Sequence, residues 1–198
     1  MTAILEAASF WDLLQKRTAQ SSDAPFLMQG TDTVVTYGEF TERCERVAAG
    51  LAARGITEGT PVVWQLPTSI DSIVAATALS RLGAVQTPII HLYREKEVGF
   101  CIQQCQPHTV IVPGTWGGHD YVEMVTGLVG DGPDAPEILA LDAGLPEGDP
   151  ADLPPLAIPA AGEAPVRWVY YTSGTTSDPK GVQHTDQTLL SALSLIHI

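Results

Sequence analysis

Between residues 60 and 141 the sequence switches repeatedly between two periodicities, and few folds accept that pattern. Short apolar runs at 62–66, 85–90, 109–112 and 138–141 read as buried strands, separated by segments of helical spacing. In 69–82, Ile70, Ile73, Val74 and Thr77 share a face and Gly83 stands at the end. In 95–105, Val98, Cys101, Ile102 and Cys105 align, and 121–129 reads as a further helix. A strand followed each time by a helix is carried back to run in the same direction as its predecessor. The pattern therefore predicts an α/β fold with a mostly parallel sheet, right-handed crossovers and helices on both faces.

Upstream, Phe10, Trp11, Leu13 and Leu14 lie in a short helical pattern that ends near Gln20. The next helix is the best marked. Thr36 and Glu39 have capping-box spacing, and Val35 and Phe40 fit the flanking hydrophobic staple. Phe40, Cys44, Val47, Ala48 and Leu51 follow at helical spacing, and Gly55 stands where a left-handed cap is wanted. Residues 144–165 break the alternation. Six of the 15 prolines lie there, interleaved with Glu and Asp, so this stretch is expected to be a surface connection. A strand resumes at 167–171, and no internal repeat is visible.

The chain has 198 residues, 44% hydrophobic and 17% charged, which fits a globular, soluble domain. Its formal net charge of −13 argues against a nucleic-acid surface, which needs clustered Lys and Arg. Three cysteines, Cys44, Cys101 and Cys105, give no disulfide framework and fit a reduced, cytoplasmic setting. Glu6 and Asp12 interrupt the N-terminal apolar residues, so no secretory signal is read, and no run is long enough for a transmembrane segment. Cys101, Cys105 and His108 have spacing that zinc could use. With no fourth ligand evident, the two thiols read as small apolar packing groups. Trp64, Trp116 and Trp168 read as core or rim packing.

The segment that carries chemistry follows the strand at 167–171: Tyr171-Thr172-Ser173-Gly174-Thr175-Thr176-Ser177-Asp178-Pro179-Lys180-Gly181. Gly174 lets backbone N–H groups converge and admits an anion closely. Thr172, Ser173, Thr175 and Thr176 add hydroxyl donors without bulk. Lys180 brings a mobile positive charge, and Pro179 stiffens the approach to it. Taken alone, such a cluster is more often a plain hydrophilic turn. A Walker A loop is excluded, because Lys180 is followed by Gly181 rather than Ser or Thr.

The joint presence of TSGTT and PKG resembles the signature loop of the adenylate-forming (AMP-binding) superfamily, which includes acyl-CoA synthetases, peptide-synthetase adenylation domains and luciferases. The resemblance covers nearly the whole chain. Thr36-Tyr37-Gly38-Glu39-Phe40 is similar to the family's T-Y-x-E-L helix start. Residues 59–66 with Pro67-Thr68-Ser69 resemble its strand and L-P-N-S, and Leu82-Gly83-Ala84-Val85 with Pro88-Ile89 resembles its G-A-x-x-x-P-I. His91-Leu92-Tyr93-Arg94-Glu95 and 179–186 are most similar to ligases for cyclohexanecarboxylate or medium-chain fatty acids. Two positions depart. Ser177 stands where the family most often has Gly, and Asp186 where it often has a His. His184 lies two residues earlier and is either a substitute or, as the preferred reading, a polar residue at the start of the next helix.

The resemblance implies an ATP-dependent acid–thiol ligase of the acyl-CoA synthetase type, with residues 1–192 forming the N-terminal portion of the large adenylation domain. It implies that 172–181 grips the ATP phosphates through Thr172, Ser173, Gly174, Thr175, Thr176, Lys180 and Gly181, with Lys180 catalytic. Mg²⁺ and the co-substrate CoA are implied too, with no metal ligand assigned in this chain. The adenine, ribose and acid contacts and the catalytic Lys of the small domain come later in the family, so the chain alone is expected to be inactive, with apolar surface exposed. Two alternatives fit the same residues: an amino-acid or aryl-acid adenylation domain that loads a carrier protein, and a non-catalytic nucleotide-binding fragment. The closing Leu193-Ser194-Leu195-Ile196-His197-Ile198 is what the end of a transposase sequencing adapter encodes, so residues 193–198 are expected to be read-through, although they would also suit a helix begun near Asp186.

Overall fold

The structure is a computed structural model that describes residues 7–156, 159, 163–172 and 179–196, without the side chains of 194–196. Helix α1 (Phe10–Ser21) opens at Ser9, whose hydroxyl accepts the Asp12 N–H at 3.1 Å. A small antiparallel hairpin follows, β1 (Pro25–Gln29) and β2 (Thr33–Thr36). Its mostly exposed residues carry little alternation, so the sequence did not mark it. Helix α2 (Tyr37–Ala52) starts with the expected reciprocal cap. Thr36 Oγ1 accepts the Glu39 N–H at 3.2 Å, and Glu39 Oε2 accepts the Thr36 N–H at 2.9 Å. Gly55 is left-handed (φ 86°) but lies in the turn beyond the helix, which closes on a right-handed Ala53.

The predicted alternation then unfolds as β3 (Pro61–Trp64), α3 (Ile70–Leu82), β4 (Val85–Pro88), α4 (Glu95–Cys105) and β5 (Thr109–Val112). A short hairpin, β6 (Thr115–Trp116) with β7 (His119–Asp120), leads into α5 (Tyr121–Val129) and β8 (Glu137–Ala140). Two strands and a helix close the described chain: β9 (Trp168–Thr172), β10 (Lys180–His184) and α6 (Asp186–Ile196). Among the described residues the main sheet has the order β10-β9-β4-β3-β5-β8. All its pairs are parallel except β9 with β10. The α/β fold, the mostly parallel sheet and the helices on both faces thus stand as expected.

Side chains alternate across the sheet and so feed two cores. Val62 and Ile111 pack with Trp11, Phe40, Leu51 and Leu79 beneath α1, α2 and α3. Val63, Val110 and Val112 pack with Val98, Cys101, Tyr121 and Val125 beneath α4 and α5. Within α3 the expected face is only part of what packs inward: Val74 is buried and Ile70 and Ile73 are partly buried, but Ala75, Ala78, Leu79 and Leu82 are buried as well. The helix is apolar on almost every side, so spacing alone does not say which side turns inward.

Residues 144–165 are more than a surface connection. Two short 3-10 turns, Leu141–Ala143 and Pro150–Asp152, bracket part of it, and Leu145, Leu153 and Leu156 pack onto the first core. The Pro146 carbonyl approaches α2 so closely that a Cβ on Gly50 would sit 2.4 Å from it. Arg46 pairs with Glu147, and Arg81 donates to the Pro154 carbonyl at 3.0 Å. Prolines exclude a ladder or a long helix, but the leucines between them strap the segment to α2 and α3.

Arg167 secures the entry to β9. It is 6% exposed, and its guanidinium donates to the Gly83 carbonyl and, at 2.6 Å, to Glu58. Gly83 ends α3 with φ 69°, and a Cβ there would meet the guanidinium at 3.1 Å. Arg167→Ala is expected to cost about 2 kcal/mol in urea unfolding, since it removes two charge-assisted hydrogen bonds. Glu58→Gln is expected to cost less, because that carboxylate is more than half exposed. An unchanged midpoint for Arg167→Ala would refute the role.

Candidate functional site

Strands β9 and β10 make the TSGTT–PKG segment a hairpin. Their register pairs Thr172 with Lys180, Gly181 with Tyr171, Val182 with Tyr170 and His184 with Trp168. The segment joins them where β9, lying parallel to β4, reaches its carboxyl end. That is the edge where open α/β sheets place ligands. Ser173, Gly174, Thr175, Thr176 and Ser177 lie outside the described residues. Thr172, Lys180 and Gly181 are described, and they belong to strands rather than to the loop expected over 172–181. The sequence did not mark β10, because Gly181 and the polar residues around it have weak strand preference. Such an antiparallel edge strand on a parallel sheet is common.

The hairpin's first base pair sets the loop mouth. Thr172 is exposed, with its hydroxyl 3.5 Å from the Lys180 carbonyl. The Lys180 side chain is exposed, and no carboxylate among the described residues lies in ion-pair range of it. Its charge is therefore available to an anion at the mouth. Gly181 is not in the left-handed region. A Cβ there would meet Val169 at 3.0 Å and the Tyr171 ring at 3.3 Å. In the described geometry its missing side chain makes room for those two residues.

The two faces of β9 meet different surroundings. Trp168 and Tyr170 stack at 5.9 Å and 4° and line a cleft of about 1430 Å³. Its other walls come from α1, β3, α3 and α6, with Phe10, Leu13, Trp64, Ile73 and Leu190 among them. Burial raises the Tyr170 hydroxyl pKa. Tyr171 points the other way, onto α4. It stands edge-on to Phe100 and donates to Gln104 Oε1 at 2.9 Å.

His184 does not open the next helix, as the preferred reading had it. It ends β10 with its ring against Tyr170 and Nδ1 3.4 Å from Thr188 Oγ1. Asp186 opens α6, is 7% exposed and accepts the Trp168 indole N–H at 3.2 Å. The Phe10 backbone N–H also reaches it, so one carboxyl ties α1, β9 and α6 together. No periodicity signals such a buried acid.

Cys101, Cys105 and His108 do not converge. Cys101 is buried and its thiol is pushed up to about 12 by burial. Cys105 lies against Thr87 and Tyr171, while His108 bonds to Thr109 and faces Gly55. Cys44, on α2, is likewise pushed up to about 12 by burial. Among the described residues, no three His, Cys, Asp or Glu side chains group to hold a metal. Trp168 is buried and Trp64 half-buried, while Trp116 is 43% exposed against the His91 ring. No helix of the described residues is long and apolar enough to cross a membrane.

The described site is a hairpin mouth with an exposed lysine, at the carboxyl edge of a mostly parallel sheet. A family model described as AMP-binding enzyme matches residues 14–198, and the chain belongs to that adenylate-forming family. It is 32% identical over 198 residues to 4-coumarate–CoA ligase 5 of Oryza sativa subsp. japonica, covering 97% of this chain and 35% of that protein. Over 192 residues it is 27% identical to long-chain-fatty-acid–CoA ligase FadD13 of Mycobacterium tuberculosis, covering 93% and 36%. Among solved structures it matches a Mycobacterium tuberculosis fatty acyl CoA synthetase with TM-score 0.74 and 25% identity, over 94% of this chain and 36% of that one. The chain thus spans about a third of the length of the curated relatives it matches.

Asp186 generates a pH dependence. Burial raises its carboxyl above the ordinary 3.8, against the Trp168 hydrogen bond, the Arg167 charge and the Phe10 N–H, which lower it. A carboxyl that holds its proton more tightly folded than unfolded stabilises the fold in acid, and that contribution fades as pH rises through the raised value. Asp186→Asn keeps an acceptor for the indole and has no charge to desolvate. Its stability relative to wild type, from urea melts, is expected to improve as pH climbs from 3.8 to neutrality. A constant difference, or drift the other way, would refute the assignment.

Proposed function

We propose that the full-length protein activates a carboxylic acid with ATP and transfers the acyl group to CoA, and that the hairpin loop holds the ATP phosphates. The observation that carries this reading is the mouth formed by Thr172 and Lys180 at the end of β9, with the lysine exposed and free of carboxylate partners among the described residues. The relatives' names support a CoA ligase and span 4-coumarate and long-chain fatty acids. A fatty or alicyclic acid is the reading we propose for this chain.

In the first step an acid oxygen attacks the α-phosphorus and the bond to pyrophosphate breaks. The CoA thiol then displaces AMP from the acyl-adenylate. The chain's own part is positioning and charge stabilisation. Hydroxyls of Thr172, Ser173, Thr175 and Thr176 and the N–H groups around Gly174 and Gly181 would hold the β- and γ-phosphates. Lys180 would meet the negative charge that grows on pyrophosphate as it leaves. Mg²⁺, when bound, takes phosphate oxygens and neutralises part of the same charge.

Because leaving-group charge is largest in the transition state, Lys180→Ala is expected to slow acid-dependent ATP–pyrophosphate exchange by about 10²–10³. The KM for the acid should change little. Exchange at the wild-type rate in that variant would remove Lys180 from the mechanism. Absence of exchange in the wild type across aliphatic, alicyclic and aryl acids would overturn the ligase reading itself.

A further inference from the structure

The phosphate hairpin shares only a short ladder with the parallel strands. Strand β9 shares five register pairs with β10 but only one with β4, Gln86 with Trp168. That pair lies at the root, beside the hydrogen bond from the Gln86 N–H to the Arg167 carbonyl. Toward the loop, from Val169 onward, β9 has no ladder partner on its β4 side among the described residues. A two-stranded ribbon with so short a ladder to the sheet depends on side-chain contacts for its angle, because isolated hairpins have little stability of their own.

One side chain ties down the loop end. Tyr171, adjacent to Thr172, spans from β9 to the last turn of α4. Its ring meets Phe100 edge-on at a centroid distance of 6.2 Å, and its hydroxyl donates to Gln104 Oε1. With that proton committed, the Cys105 thiol, 3.5 Å away, donates to the phenol oxygen. Thr87 of β4, at 3.4 Å, in turn donates to the sulfur. A directed chain therefore runs from Thr87 through Cys105 and Tyr171 to Gln104. Gly181 completes the arrangement from the opposite strand, since any side chain there would press on the Tyr171 ring. Burial, and after it the Cys105 contacts, raise the Tyr171 hydroxyl pKa, which keeps it a neutral donor.

We propose that Tyr171 is a positioning residue, a pin that fixes the angle of the phosphate hairpin against α4 through Gln104 and Cys105. This rests on the phosphate-holding reading of the loop. The pin touches no substrate. It acts through the backbone of Thr172, whose placement sets the loop mouth.

The test uses the full-length enzyme and Tyr171→Phe, which keeps the ring and removes the hydroxyl. Loss of one such hydrogen bond is expected to raise the KM for ATP in pyrophosphate exchange about three- to ten-fold, with the KM for the acid and the melting temperature unchanged. An unchanged KM for ATP would overturn the pin. Equal rises for both substrates together with a lowered melting temperature would mark Tyr171 as merely structural and overturn it too. A second readout needs no turnover. N-ethylmaleimide labelling of Cys105, located by mass spectrometry, is expected to be faster in Tyr171→Phe and in Gly181→Val, where the ring is displaced. Labelling at the wild-type rate in both variants would overturn the pin. If the wild type exchanges no pyrophosphate with any acid, the ligase reading fails, while the labelling comparison still decides whether Tyr171 holds the hairpin.

Discussion

Arg167 carries its charge into a place where a charge is costly. The guanidinium is almost fully buried, yet its N–H groups face the end of α3 at Gly83 and the carboxylate of Glu58. Its backbone meanwhile accepts from Gln86 of β4 and donates to His184 of β10. Four elements thus converge on one residue just before β9 begins. Burying an unpaired guanidinium would be prohibitive, so the groups that neutralise it have little freedom to move apart. The position of the hairpin relative to the parallel strands follows from that requirement.

The parallel layers were legible because their signals are local and redundant. Alternating Val62 and Val63 serve opposite cores, the cap at Thr36 and Glu39 is a three-residue pattern, and Gly83 marks a left-handed helix end. Elements set by partners far along the chain were not legible. Strand β10 exists because β9 offers an open edge, not because Lys180, Gly181 and Gln183 favour extended structure. The strap over α2 was hidden because its leucines stand among prolines that point to a loop. At the site, the composition pointed to a phosphate loop, and the fold places its two ends opposite each other. Asp186 and Tyr171 left no trace, since their meaning lies in what they touch on α1 and α4.

Electrostatics at the site run against the bulk of the chain. The formal net charge is −13. A polyanion approaching such a protein meets repulsion at long range, so any attraction has to be local, as at an exposed lysine with no ion pair among the described residues. Two carboxylates at the root of the hairpin are already committed, Glu58 to Arg167 and Asp186 to Trp168.

The return strand has one more consequence. β10 pairs with β9 residue for residue from Thr172 and Lys180 down to Trp168 and His184, so the register itself decides which side chains share a face. A slip of β10 by a single step would turn every one of its side chains to the opposite side. Tyr171 would then face a residue other than Gly181, and the lysine would leave the mouth. In this hairpin the pairing register is under as firm a constraint as the chemistry of the residues it aligns.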